Sequence, residues 1–210
     1  MRIKLSIIIG FLLITNLEIN AQIEYGIKAG PNLSKYIGDL LLDDEYNYRF
    51  GFYVGGFTNF NINEKFKIQA ELLFAQQGTN LVTKDVEIIE SQDKSPIFGD
   101  FKTKIVESTL LIPVLAQFYV NENIYLEAGP QFGYIVNRDE EITESPTGDP
   151  IFNNEADFDY DKFDFGFSIG SGYELNDKVT INLRYYFGLI ERDFSEYKSS
   201  VFNLGVEYRL

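Results

Sequence analysis

The chain has 210 residues, one domain's worth, with 18 basic and 32 acidic residues and a formal charge of −14. It carries 19 Phe and 14 Tyr but no Trp, no Cys and no His. The missing cysteine excludes disulfides, thiol catalysis and cysteine metal sites, and the missing histidine removes the commonest general base and metal ligand. The acidic balance excludes nucleic acid as a partner, since that requires a basic footprint.

In chain order, the first element is MRIK, then the apolar core LSIIIGFLLI, then INAQ with a small residue at Ala21. This pattern predicts a secretory signal peptide over 1–21, too short to span a bilayer as a mature helix. A buried N-terminal helix is the alternative. Cleavage after Ala21 removes Arg2, Lys4 and Glu18 and leaves 16 basic and 31 acidic residues, net −15. No Cys follows the cut to take a lipid anchor. Residues 22–210 contain no run of 18 apolar residues, so membrane insertion would require a closed barrel of strands.

Period-2 alternation predicts eight strands, at about 23–34, 48–61, 66–82, 103–120, 124–137, 162–175, 179–190 and 199–210. Each has the ~9–11 residues that a tilted membrane strand needs. FKIQAELLF sets Phe66, Ile68, Ala70, Leu72 and Phe74 against Lys67, Gln69, Glu71 and Leu73. VFNLGVEYRL, at the end, sets Phe202, Leu204, Val206, Tyr208 and Leu210 against Val201, Asn203, Gly205, Glu207 and Arg209.

The connections alternate strictly. NINEK, NEN and LNDK are short turns rich in Asn, Asp and Lys, whereas 35–47, 83–102, 138–161 and 191–198 are long. Short turns at one end and long loops at the other are the asymmetry of outer-membrane barrels. The long loops hold 21 acidic and seven basic residues. Aromatics gather near strand ends on the greasy face: Tyr25, Phe60, Phe66, Phe118, Tyr173 and Tyr208 by the turns, Phe50, Tyr134 and Phe163 by the loops. Rings with a polar edge suit the two membrane interfaces. The opposite face carries Lys28, Glu71, Glu107, Glu127, Arg184, Glu207 and Arg209, which inside a small barrel could pair into a polar plug. The prediction is an all-β, eight-stranded antiparallel up-and-down transmembrane barrel over 22–210, with outer-membrane lipid against its greasy face. A soluble periplasmic lipid-carrying barrel, with the faces reversed, is the competing reading.

Pro113 and Pro130 fall inside predicted strands, and a bulge is expected near Pro113 because proline removes a ladder donor. With ~8 strands the interior is just wide enough for side chains to fill it, so a wide channel is not expected. Without His or a G-x-S-x-G elbow, no catalytic residues are assigned and an enzyme is not expected. Loop 138–161 holds nine acids and one base, with Asp157, Asp159 and Asp161 alternating. Hard oxygen ligands suit calcium, yet Lys162 takes the glycine position of an EF-hand loop and Ser168 that of its final Glu. A solvated acidic loop is the preferred reading, so no metal or cofactor is assigned.

The stretches YGIKAGPNLS, STLLIPVLAQFYV, YLEAGPQFGYIV, KFDFGFSIGSGYEL and RYYFGL, in that order, resemble the PorT-like family of small outer-membrane β-barrel proteins of the Bacteroidota. The resemblance covers nearly all of 23–210, although Leu111 stands where such proteins commonly have Glu. The lack of catalytic residues and the long loops lead to a non-enzymatic envelope protein with a protein partner at the loops, and the resemblance implies an outer-membrane location. It also implies an alternative role, as an accessory in assembling a secretion or gliding apparatus. Asn203, Gly205, Tyr208 and Leu210 resemble the terminal signal by which such barrels engage the barrel-assembly machinery; an ordinary last strand accounts for the same letters.

Overall fold

The computed structural model describes residues 23–38, 44–88, 95–146, 161–191 and 197–210. The signal-peptide segment 1–21, Asp157 and Asp159 lie outside the described residues. Among the described residues nine strands form: β1 (Ile23–Ile37), β2 (Asp44–Asn47), β3 (Arg49–Asn63), β4 (Phe66–Ile88), β5 (Ile97–Tyr119), β6 (Ile124–Glu144), β7 (Phe163–Glu174), β8 (Val179–Gly188) and β9 (Lys198–Arg209). The sheet runs β2-β4-β3-β1-β9-β8-β7-β6-β5, and β4 pairs with β5 as well, so the eight long strands close on themselves. Every pairing is antiparallel. Closure is the only arrangement of strands that leaves no unpaired edge in lipid. β2 and β3 are one wall strand interrupted at Tyr48, and both pair with β4.

The faces are as the alternation predicts, with the greasy side outward. Leu72, Leu183, Leu204 and Val206 are all more than half exposed, while Gln69 on β4 and Glu107 and Gln117 on β5 are fully buried. A soluble carrier would place these apolar residues around its cavity. Here the cavity side is polar, and that reading fails. The aromatics assigned to the two interfaces are exposed, Phe50 at 70% and Tyr25 at 61%; Phe60 is half-buried.

One device builds all three short turns. Asn63 Oδ1 accepts from the backbone N–H groups of Lys65 and Phe66, at 2.9 and 3.0 Å. Asn121 does the same for Asn123 and Ile124, and Asn176 for Lys178 and Val179. An Asn side chain that substitutes for a backbone carbonyl two and three residues on is the reason this residue opens each turn.

The expected bulge is not at Pro113. Pairing is lost at Ile112 and Pro113 against β4, at Val114 and Leu115 against Gly129 and Pro130, and at Gly30 and Pro31 against β9. In all three places the register resumes unchanged, and the nearest shift on β5 lies between Ser108 and Thr109. A one-residue slip would turn every lipid-facing side chain into the core, so face alternation holds the register where proline removes a donor.

The wall has unequal height. β4 and β5 have 23 residues each and β6 has 21, against 12, 10 and 12 for β7, β8 and β9. The strands were expected to stop near 82, to begin near 103 and to stop near 137. Instead 83–88, 97–102 and 138–144 extend the ladder beyond the long-loop end. At ~3.3 Å per residue these added segments carry the sheet roughly 20 Å further along its strands.

Candidate functional site

The alternating inward positions fill the barrel in layers. In the central layer, Arg184 on β8 donates to both oxygens of Glu71 on β4, each at 2.8 Å, and through Nε to Glu127 on β6 at 2.7 Å. Lys28 on β1 reaches Glu71 at 3.0 Å and Glu207 on β9 at 2.8 Å. Gln69 donates to Glu71 and Glu207, Asn182 to Glu207, and Gln117 to Gln69 and Glu127. All eight side chains are buried. Two cations and three carboxylates from five of the eight wall strands are thus cross-linked, and Gln117 brings in a sixth, β5. Buried charges require such pairing, because each group would otherwise lose hydration without compensation. Next to this layer lies an apolar one of Tyr53, Leu73, Ala75 and Leu111, which is why LLIPVLA is greasy on both faces.

At the turn end, Arg209 bonds Glu24 and Glu174 at 3.1 Å, and the Tyr119 hydroxyl donates to Glu174 at 2.6 Å. At the loop end, Tyr36 stacks on Tyr197 with ring centroids 4.2 Å apart and donates to the buried Glu107 at 2.6 Å. Arg138 closes this layer on Tyr197 and Glu140 at 2.9 and 2.8 Å. Among the described residues the interior is a stack of these buried side chains. Tyr36, Tyr46 and Tyr197 were not singled out from sequence. Their only signal was aromatic residues at inward positions inside stretches read as loop.

Large inward rings are accommodated by glycine. Tyr53 lies over Gly205, Phe57 over Gly26, Tyr125 over Gly172 and Tyr186 over Gly166, each ring occupying the place a Cβ would take. Gly78 meets a different need, since its φ of +143° favours glycine, and its N–H is satisfied by the Ser34 hydroxyl at 2.9 Å. The seam between β4 and the β2–β3 break is completed by Thr79 and Asn80 side chains bonded to the carbonyls of Asn47 and Tyr48.

Asn203, Gly205 and Tyr208 lie on β9, which pairs with β1, and Leu210 directly follows it. Asn203 and Gly205 point inward, whereas Tyr208 and Leu210 are exposed on the lipid face. Gly205 therefore has a structural reason independent of any assembly signal.

Outside the membrane, the outward face of the projecting sheet is a set of ion pairs: Lys84 with Glu45 at 2.7 Å, Lys104 with Glu141 at 3.6 Å, and Lys102 with Glu144. The bond to Glu144 holds the exposed Lys102 ammonium above its ordinary pKa. Among the described residues no three acidic side chains converge as a metal site. Asp161 is described, but the other two members of the alternating Asp triad are not.

A closed antiparallel barrel with lipid-facing apolar residues, a polar plugged interior and short turns opposite a tall rim is a small outer-membrane barrel. The chain belongs to the outer membrane protein beta-barrel domain family, whose profile matches residues 18–192. Its fold is similar to Neisserial surface protein A (NspA), at 10% identity and a TM-score of 0.50, covering 89% of this chain and 97% of that one. It is also similar to Ail of Yersinia pestis, at 15% identity and 0.48, covering 89% and 98%. OprG of Pseudomonas aeruginosa follows at 11% and 0.46, covering 89% and 95%. No curated protein sequence matches the chain. The protein is located in the outer membrane.

Proposed function

We propose that this protein is a non-enzymatic outer-membrane barrel that acts through surface contacts outside the bilayer, with the barrel as a rigid base. The observation that carries this reading is the pairing of a plugged interior with a sheet that projects past the lipid. A barrel cross-linked at its centre by Arg184, Glu71, Glu127 and Lys28 offers nothing to transport. Its sequence spends most of its acidic residues on the long-loop end instead. That excess of negative charge favours cationic partners and repels anions.

The test is reconstitution into planar lipid bilayers, combined with complementation of a deletion strain. Absence of porin-sized conductance steps, with loss of complementation when the β4–β5 projection is trimmed, supports the reading. Solute-sized conductance, or full complementation by the trimmed protein, overturns it.

A second reading rests on the resemblance of the five stretches, in their order, to PorT-like proteins. It makes the chain an accessory in assembly of a secretion or gliding apparatus, engaged through the same projecting rim. Copurification of an apparatus component with the intact protein, lost on trimming the rim, would favour it over a general envelope role.

A further inference from the structure

The inward cations of this barrel are paired with carboxylates, with one exception. Lys28 reaches Glu71 and Glu207, Arg184 reaches Glu71 and Glu127, Arg209 reaches Glu24 and Glu174, and Arg138 reaches Glu140. Arg49, the first residue of β3, is only 9% exposed and makes no ion pair among the described residues. Its Nε and Nη1 are enclosed without a hydrogen-bond partner. Taking a guanidinium out of water without a counter-charge is costly, so a native protein that keeps one has a use for it.

The surroundings say which ligand fits. Arg49 pairs in the ladder with Ser34 of β1, and both residues lie on the buried, inward face. Directly opposite side chains in such a pair are about 5 Å apart at Cβ. Ser34 Oγ accepts the Gly78 N–H at 2.9 Å, which leaves its own proton to donate. A guanidinium fork with a hydroxyl beside it suits an oxyanion, carboxylate or phosphate, whose oxygens take several donors at once. The apolar, central and turn-end layers separate Arg49 from the turn end, so the ligand enters from the loop end. There Tyr36, two residues beyond Ser34, stacks on Tyr197, which favours a small or slender anion over a bulky one. The acids of the loop end repel a free anion at a distance. At physiological salt that repulsion is screened beyond about 8 Å, whereas direct contact with a buried charge is screened much less.

We propose that Arg49 and Ser34 form an oxyanion site inside the loop-end mouth of the barrel, which takes a small carboxylate or phosphate from the outer side. The site is separate from the contact surface of the projecting rim, and either can fail without the other.

The experiment uses the full chain, isotope-labelled and folded in non-ionic detergent micelles in a zwitterionic buffer. Inorganic phosphate and acetate are titrated separately, and the arginine Nε–H signals are followed by NMR. Arg49→Lys keeps the charge but lacks this group, so it assigns the Arg49 signal. The expected result is a saturable shift of that signal with at least one probe, while the Arg184 signal stays in place. A response to phosphate alone names a phosphate ligand, and a response to acetate alone names a carboxylate. Arg49→Met should weaken the binding at least about tenfold, as for the loss of one charge-assisted hydrogen bond. Without either probe, its urea midpoint should equal or exceed that of the unaltered protein, because an uncompensated buried charge is gone.

An Arg49 signal that moves with neither probe overturns the proposal. So does equal affinity in Arg49→Met, which would mean an adventitious ion bound elsewhere. A lower urea midpoint of Arg49→Met in the probe-free buffer would show that the guanidinium is already paired within the chain, and would overturn it as well.

Discussion

Arg184 and Glu71 face each other across the full diameter of the barrel. β8 and β4 are four strands apart in either direction around the ring, and the guanidinium spans the interior to bond both carboxylate oxygens at 2.8 Å. A two-pronged contact of this kind fixes geometry as well as charge, because the planar fork matches the carboxylate. Arg184 thereby ties opposite walls together at the level where Lys28, Glu127 and Glu207 converge.

Arg184→Met is expected to leave Glu71 and Glu127 short of a counter-charge and to cost about 3–5 kcal/mol, the usual penalty for breaking a buried pair. The measurement is the urea midpoint of the protein folded in micelles. Combining it with Glu71→Gln should cost clearly less than the two single losses added, since both remove parts of one network. Strict additivity would mean the bond does not form.

Gly205→Ala places a methyl where the Tyr53 hydroxyl lies. We expect a loss of about 1–3 kcal/mol from overpacking, largely restored by adding Tyr53→Phe. Unassisted refolding from urea isolates this packing effect. If Gly205→Ala refolds normally in micelles but fails to reach the membrane in cells, the assembly-signal role accounts for this glycine and packing does not.

Leu183 and Phe98 are both exposed apolar residues on the outward face, at 55% and 63%. They differ in height. Leu183→Arg, in the lipid belt, should cost about 2–4 kcal/mol. Phe98→Arg, on the projecting sheet, should stay within about 0.5 kcal/mol, as for other surface changes in water. Equal costs measured by unfolding in lipid vesicles would place the membrane at a different level of the wall.

Replacing Lys84–Asp100 by Asn-Gly joins Thr83 to Phe101, which already pair across β4 and β5. The two-residue turn suits an antiparallel hairpin. The shortened protein should keep its β-type circular dichroism and its gel shift on boiling, because the removed segment lies outside the lipid. Loss of the folded band would show that the projection stabilises the barrel.

Much of this protein was determined by its sequence alone. Alternation along β4, β8 and β9 separated an apolar face from a polar one, since a bilayer on one side and packed polar groups on the other impose a strict period of two, and the alternation of short turns with long loops, with the signal peptide, gave the apolar face to lipid. Asn63, Asn121 and Asn176 marked the short turns, because their geometry is local. The tertiary structure decided the rest. Above the membrane both faces of a strand meet water, the alternation fades, and 83–88, 97–102 and 138–144 read as loop although backbone pairing continues through them. Pro113 looked like a bulge because the sequence shows the missing donor but not the neighbouring strands that hold the register. That Arg184 pairs with Glu71, and Tyr53 covers Gly205, depends on which strands face each other once the ring closes. Residues 113 and 152 positions apart acquire contact only through that closure.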